Sequence, residues 1–347
     1  MLEPATGRLL SIVALARAAI SGRRQADHPH QEEALAIWQQ FRFNWLLLAI
    51  LIAIFDLCLL LTDFRLRPLG YLITLAVAGV YGVCGNGNAL GFTCRPRVLS
   101  LSTAFAQAVL AIAVLTSLSY IATAAAFPLQ DSRLFAADRA LGFDFPAVLH
   151  LVNDRVWLVQ VLAFGYNAIT WQMWLIVLGL PLAGQYRRTA EYISALILGL
   201  VVACCITMMV PAVGVYQALG PLASDFPNIN PESYYDTLLE IPLLRAGTLR
   251  TLDLWNLLGV VTFPSFHAAT AVLYGWALWP LRWVRPFSIA LNGTMLVATP
   301  ICGGHYLVDV LAGVTLAIGS ICAARYGTRI FKLWGQGSRA NMVAYQA

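Results

Sequence analysis

Apolar residues in this chain gather into runs of about twenty, and that clustering limits the fold more than any other feature. A hydrocarbon core ~30 Å thick takes about 20 mostly apolar residues per crossing helix. Eight such runs can be drawn, at about 44–62, 68–85, 99–126, 156–181, 190–211, 266–281, 286–302 and 305–324, the last three being the shortest. The strict polar–apolar alternation of a membrane β-barrel is absent. Charged residues make up 11 % of the chain, against about 25 % in a soluble domain, and mean hydropathy is +0.72. The expected fold class is all-α integral membrane, with about eight transmembrane helices.

Arginines and lysines orient those helices. The N-terminal segment, the even-numbered loops and the C-terminal tail carry fifteen of them; the opposite side carries seven. Positive charge is retained on the cytoplasmic side, so both termini are expected in the cytoplasm of a multi-pass protein of the cell (inner) membrane. The net charge of +5 then reflects topology, and no nucleic-acid partner is implied.

This gives four regions. Residues 1–41 read as a cytoplasmic, partly amphipathic segment. The apolar stretch Leu9–Ile20 is interrupted by Arg17 and followed by Ser21-Gly22-Arg23-Arg24, which suits a membrane-surface helix better than a signal peptide. Residues 42–126 hold the first helices, 127–325 the catalytic part of the membrane domain, and 326–347 a cytoplasmic tail. Two long outer loops, 127–155 and 212–265, are rich in Pro, Asp and aromatic residues; long ordered loops are often functional. The seven cysteines show no CxxC pair and read as packing residues.

Two short patterns carry chemistry, and both fall on the outward side. Gly303-Gly304-His305-Tyr306-Leu307-Val308-Asp309 opens the last helix. His305 and Asp309 are four apart and share a helix face. A carboxylate there can accept a hydrogen bond from one imidazole nitrogen, fix the tautomer and leave the other nitrogen free to attack. The glycines, Gly304 in particular, let an anion approach backbone N–H groups at the helix start. The other pattern is Pro264-Ser265-Phe266-His267. Ser265 suits a helix N-cap, where its hydroxyl and the first N–H groups make a phosphate cradle. His267, in the first turn, is placed to protonate a leaving alkoxide. The competing readings are polar interfacial anchors and a metal site made from His267, His305 and Asp309.

These residues resemble the type 2 phosphatidic acid phosphatase superfamily. Pro264–His267 is similar to its second signature and Gly304–Asp309 to its third. The string His305-Tyr306-x-x-Asp309-Val310-x-x-Gly313 looks most like the branch containing inositol phosphorylceramide synthases, and sphingomyelin synthases share a similar one. Asp138-Arg139-Ala140-Leu141-Gly142-Phe143-Asp144 is similar to openings in bacterial members of that branch. The resemblance covers roughly residues 130–325 and implies a six-helix core, supplied by the third to eighth runs. It implies that His305 is the nucleophile and forms a phosphohistidine, that Asp309 orients it, that His267 is the general acid and then base, and that Ser265 binds phosphoryl oxygens. It implies neither metal nor cofactor.

The family's first signature, a Lys followed later by Arg-Pro, is missing. The only lysine is Lys332, and Arg95-Pro96 lies on the cytoplasmic side. Arg245 and Arg250, in the long outer loop, are the best substitutes as phosphate ligands, since guanidinium binds phosphate bidentately; the alternative is interfacial snorkelling. Asp56, inside the first run, is an intramembrane acid and so a weaker candidate. Tyr166, Asn167 and Gln172 are expected to bond helix to helix more than to line a cavity. The function expected is that of a lipid phosphatase or phosphotransferase acting at the outer leaflet. Its substrate is a phosphorylated membrane lipid, with water or a lipid hydroxyl as acceptor. The rivals are a transporter and a lipid-binding protein with a non-catalytic site.

Overall fold

A computed structural model of the chain describes residues 37–90, 95–220 and 226–346, with side chains to residue 330 apart from 88–90 and 328. Most of the expected N-terminal segment, 1–36, lies outside the described residues. The long helices are α1 (Ile37–Leu61), α2 (Pro68–Leu90), α3 (Pro96–Ala124), α6 (Val156–Leu182), α7 (Tyr186–Met209), α11 (Arg285–Gly303) and α12 (Leu307–Gln346). Shorter ones are α4 (Asp131–Ala140), α5 (Phe145–Asn153), α8 (Val215–Leu219), α9 (Glu232–Arg245) and α10 (Phe266–Leu278). The protein is an all-α, multi-pass membrane protein: among the described residues, seven helices are long and apolar enough to cross a bilayer.

The expected run at 266–281 is the exception. It becomes the 13-residue α10, about 20 Å long at 1.5 Å per residue. It starts inside the protein, and packs against α6, α7, α11 and α12 at once. Its small buried residues, Ala268, Ala269, Ala271 and Ala277, allow that close surround. Gly313 is the tightest point: a Cβ there would collide with the Ser265 carbonyl. The start of α10 is thus held directly against α12, and Ser265 N donates to Asp309 O at 3.0 Å.

The six helices α3, α6, α7, α10, α11 and α12 form one packed group. Polar side chains fasten α1 to it from within. Asn44 Nδ2 donates to Gln107 Oε1 at 3.0 Å, Gln107 Nε2 to Phe41 O at 2.7 Å, and Ser194 Oγ to Asn44 Oδ1 at 2.8 Å. Such interhelical bonds average about 0.6 kcal/mol in membranes. The opposite face of α1 exposes Leu46, Ile50, Ile54, Leu57 and Leu61. Their spacing makes one lipid-facing stripe.

The two long loops fold over the same end of the helices. Gln130 N donates to Pro211 O at 2.9 Å. A two-residue parallel pair, β1 (Arg65–Leu66) with β2 (Thr251–Leu252), ties the α1–α2 turn to this cap. At the far end, the turn after α10 presents Trp283, 98 % exposed, beside Arg282 and Arg285. Such an aromatic and basic edge suits a membrane–water interface. The helix α12 continues to Gln346, well past the expected start of the tail at 326.

Candidate active site

The helix α11 ends at Gly303 and is capped by Gly304, whose φ of +67° is the left-handed conformation that glycine adopts without strain. The chain then turns through His305 and Tyr306 into α12. His305 is 6 % exposed and Asp309 fully buried. His305 Nδ1 lies 3.3 Å from Asp309 Oδ2, so the i,i+4 spacing does bring the pair together. The same oxygen accepts from Tyr306 N at 2.9 Å, which fixes the carboxylate. Asp309 Oδ1 has no hydrogen-bond partner among the described residues.

Ser265 caps α10 from a fully buried position, its Oγ accepting from Ala268 N at 3.4 Å. Its hydroxyl therefore serves the helix, and Ser265 is not among the residues that line the cavity described next. The N–H groups of Phe266 and His267, next in line, have no backbone acceptor among the described residues. The imidazole of His267 lies flat on the Tyr166 ring, with centroids 4.0 Å apart and planes 7° from parallel.

His267 and His305 line one cavity of about 500 Å³, with Tyr166, Asn167, Phe266 and Gly303 around them. That size is ordinary for a small-molecule site. Gly303 is needed there, since a Cβ would stand 2.7 Å from Tyr166 Oη and 2.8 Å from His305 Cδ2. Tyr166 and Asn167 thus line the cavity, contrary to expectation. Gln172 behaves as expected, donating to Asn292 Oδ1 at 2.7 Å between α6 and α11.

Three sequence expectations are corrected. Arg245 and Arg250 do not reach the cavity. Arg245 Nη1 donates to Phe127 O at 2.7 Å, and Arg250 Nη1 to Leu244 O at 2.7 Å, with its guanidinium over the Phe64 ring. Both are spent on tying loop carbonyls. Gly304 stands behind the site rather than in it: its carbonyl accepts from Val215 N at 2.7 Å, and Tyr216 and Tyr234 wall it in. The first N–H groups of α12 are not free for an anion either. Leu307 N and Val308 N donate to the two oxygens of Asp138, at 2.7 and 2.9 Å. Asp56 is exposed on α1. No group of three His, Cys, Asp or Glu side chains converges to hold a metal ion among the described residues.

Two acids in the first long loop, unassigned by sequence reasoning, hold the site from behind. Asp138 is the α12 cap just described; burial pushes its carboxyl up while its two backbone N–H partners pull it down. Asp131 accepts from Val213 N and Gly214 N, and its Oδ1 lies 3.0 Å from the Tyr306 hydroxyl. Tyr216 donates to Ile301 O at 2.7 Å. The sequence signals for this layer were the richness of the outer loops in Asp and aromatic residues and, for Asp138, the family-like string Asp138–Asp144, neither of which assigned a role.

A family model described as the PAP2 superfamily matches residues 132–323. The match spans more than half of the chain, runs from α4 into α12, and includes Ser265, His267, His305 and Asp309. No curated protein and no solved structure matches the chain. A buried His–Asp pair, a second histidine at a helix start and this family match agree: the chain belongs to the PAP2 superfamily, whose members are phosphatases and phosphotransferases.

Proposed function

We propose that the protein cleaves phosphate esters of membrane lipids at the outer leaflet through a phosphohistidine on His305. The observation that carries this is the placement of His305 and His267 on one cavity, with Asp309 on His305 Nδ1. With Nδ1 held, Nε2 is the nitrogen left to attack phosphorus. The bond from phosphorus to the leaving alcohol breaks, and the alkoxide takes a proton from His267. An acceptor hydroxyl, deprotonated by His267, then attacks phosphorus. The P–N bond breaks and His305 is restored.

The missing Lys and Arg-Pro clamp leaves the phosphoryl oxygens to backbone donors. The N–H groups of Phe266 and His267, at the positive end of α10, suit that role. Ser265 sets them by capping the helix. The charge bias of the loops supports an outward-facing cavity and cytoplasmic termini. The similarity of His305–Gly313 to the synthase branch favours a lipid hydroxyl over water as acceptor. The catalytic part of the chain is assigned to residues 127–325.

The test incubates purified protein with a panel of phospholipids, with and without a hydroxylated lipid acceptor, and reads products by mass spectrometry. Phosphoryl or head-group transfer that disappears in His305→Ala supports the reading. A wild-type protein that converts none of the panel contradicts it.

A further inference from the structure

At the end of the bundle opposite the catalytic cavity, packed helices bring arginines together. Arg187 and Arg188 lie in the first turn of α7, and Arg325 lies far along α12. These two helices pack on each other, and α10 packs on both. Arg187 is engaged, its Nε 2.9 Å from Glu191 Oε1. Arg188 is held differently: its guanidinium lies over the Trp276 ring of α10, 4.2 Å from the centroid. Among the described residues Arg188 makes no hydrogen bond or ion pair, and its Nη1 is shut away from solvent without an acceptor. Arg325 makes no hydrogen bond or ion pair with the described residues either.

These charges act on one another. Glu191 attracts Arg188, while Arg325 and Arg187 repel it. One carboxylate, already paired with Arg187, thus serves three guanidiniums. The sequence supplies no other acid on these elements: no Asp or Glu occurs at 182–190, 254–308 or 310–347. A stacked, partly desolvated guanidinium with an unsatisfied donor is a set of contacts suited to an anion from outside the chain. The rim identifies the carrier. Trp279 and Trp283, on the turn after α10, are 50 % and 98 % exposed, and Tyr326, next to Arg325 in sequence, is 66 % exposed. Exposed aromatic side chains of this kind sit at head-group depth. The anion available at that depth is the phosphate of a membrane lipid. Guanidinium binds phosphate bidentately, and basic pockets between transmembrane helices suit anionic head groups.

We propose that Arg188 and Arg325, with Arg187 at the edge, bind the phosphate of an anionic phospholipid, which clamps α7, α10 and α12 together. Two of the clamped helices carry the catalytic residues at their other ends: His267 lies in the first turn of α10 and Asp309 in the first turn of α12. His267 and Trp276 are nine positions apart, about 14 Å at 1.5 Å per helical residue. Lipid bound at Arg188 is therefore held away from His267 and is not turned over. It fixes the helices on which the catalytic residues stand.

Full-length protein, delipidated in detergent, is followed by thermal unfolding while phosphatidylglycerol, phosphatidylcholine or inorganic phosphate is added. Phosphatidylglycerol is expected to raise Tm by about 3 °C or more at saturation, and the other two by less than about 1 °C. In Arg188→Gln, and in Arg325→Gln as a second variant at an exposed position, the phosphatidylglycerol needed for half the shift is expected to rise about 10-fold or more, as for loss of one charged hydrogen bond. Arg282→Gln, on the turn after α10, is expected to titrate like the wild type. No shift with phosphatidylglycerol, or an equal shift with phosphatidylcholine, overturns the site. An equal shift with inorganic phosphate overturns the lipid as its occupant. An equal loss in Arg282→Gln means diffuse attraction by the whole basic edge and overturns the site as well. The readout needs no turnover, so it is independent of the His305 chemistry.

Discussion

The ring of Tyr166 and the imidazole of His267 are stacked, 4.0 Å between centroids and 7° from parallel. One comes from the middle of α6 and the other from the first turn of α10, so the stack sets the angle at which His267 faces the cavity. Tyr166→Phe keeps the stacked face and is expected to retain activity within about 3-fold. Tyr166→Ala frees the imidazole, and a misplaced acid forfeits much of a contribution typically worth ~10²–10⁴-fold. Steady-state rates on one alkyl phosphate ester check both.

Asp138 is the partner that α12 lacks in its own sequence. It takes the Leu307 and Val308 N–H groups, and it is 2 % exposed. Asp138→Ala is expected to cost about 1–2 kcal/mol of stability, as for other lost caps. Because the uncapped turn carries His305, activity should fall as well. Asp138→Asn, with one acceptor oxygen left, should lie between. Thermal unfolding and turnover measured on the same preparations check this.

Arg245 and Arg250 hold loop carbonyls and not substrate. Arg245→Gln and Arg250→Gln are therefore expected to lower thermal stability while moving KM for a phosphate ester by less than about 3-fold. Losing a bidentate phosphate clamp would instead raise KM by 10-fold or more, since charged hydrogen bonds are worth about 1.5–3 kcal/mol. A KM rise of that size in either variant would return these arginines to the site.

Topology is read with single cysteines in a background freed of the native ones. Leu239, 66 % exposed on α9, should be labelled from outside as Leu239→Cys. Arg187→Cys, at the opposite end of the bundle, should be labelled only after permeabilisation. Reversed labelling would put the cavity in the cytoplasm and the substrate in the inner leaflet.

Some of this architecture was legible because it rests on local rules. Apolar runs of bilayer length marked the long helices, and i,i+4 spacing placed His305 beside Asp309. Ser265 read as an N-cap and is one. What stayed hidden depends on distant pairing. Nothing near Leu307 announces that its N–H is taken by Asp138, 169 residues away. Arg245 and Arg250 looked available because sequence does not display the carbonyls that engage them. The shortness of α10 was hidden too, since apolar residues 279–281 prolong the run while the backbone turns. Tyr166 joined the cavity because α6 and α10 cross at that point, a tertiary fact.

The central claim is that His305 attacks phosphorus while His267 protonates the departing oxygen. It is tested most directly by turnover of a nitrophenyl phosphate and an alkyl phosphate by His305→Ala and His267→Ala. An activated leaving group hardly needs a proton, so His267→Ala should lose far less on the nitrophenyl ester than on the alkyl ester, where ~10²–10⁴-fold is at stake. His305→Ala should be inactive on both, because no leaving group replaces a missing nucleophile. Turnover of the nitrophenyl ester by His305→Ala above a no-enzyme control would mean direct attack by water and would contradict the phosphohistidine.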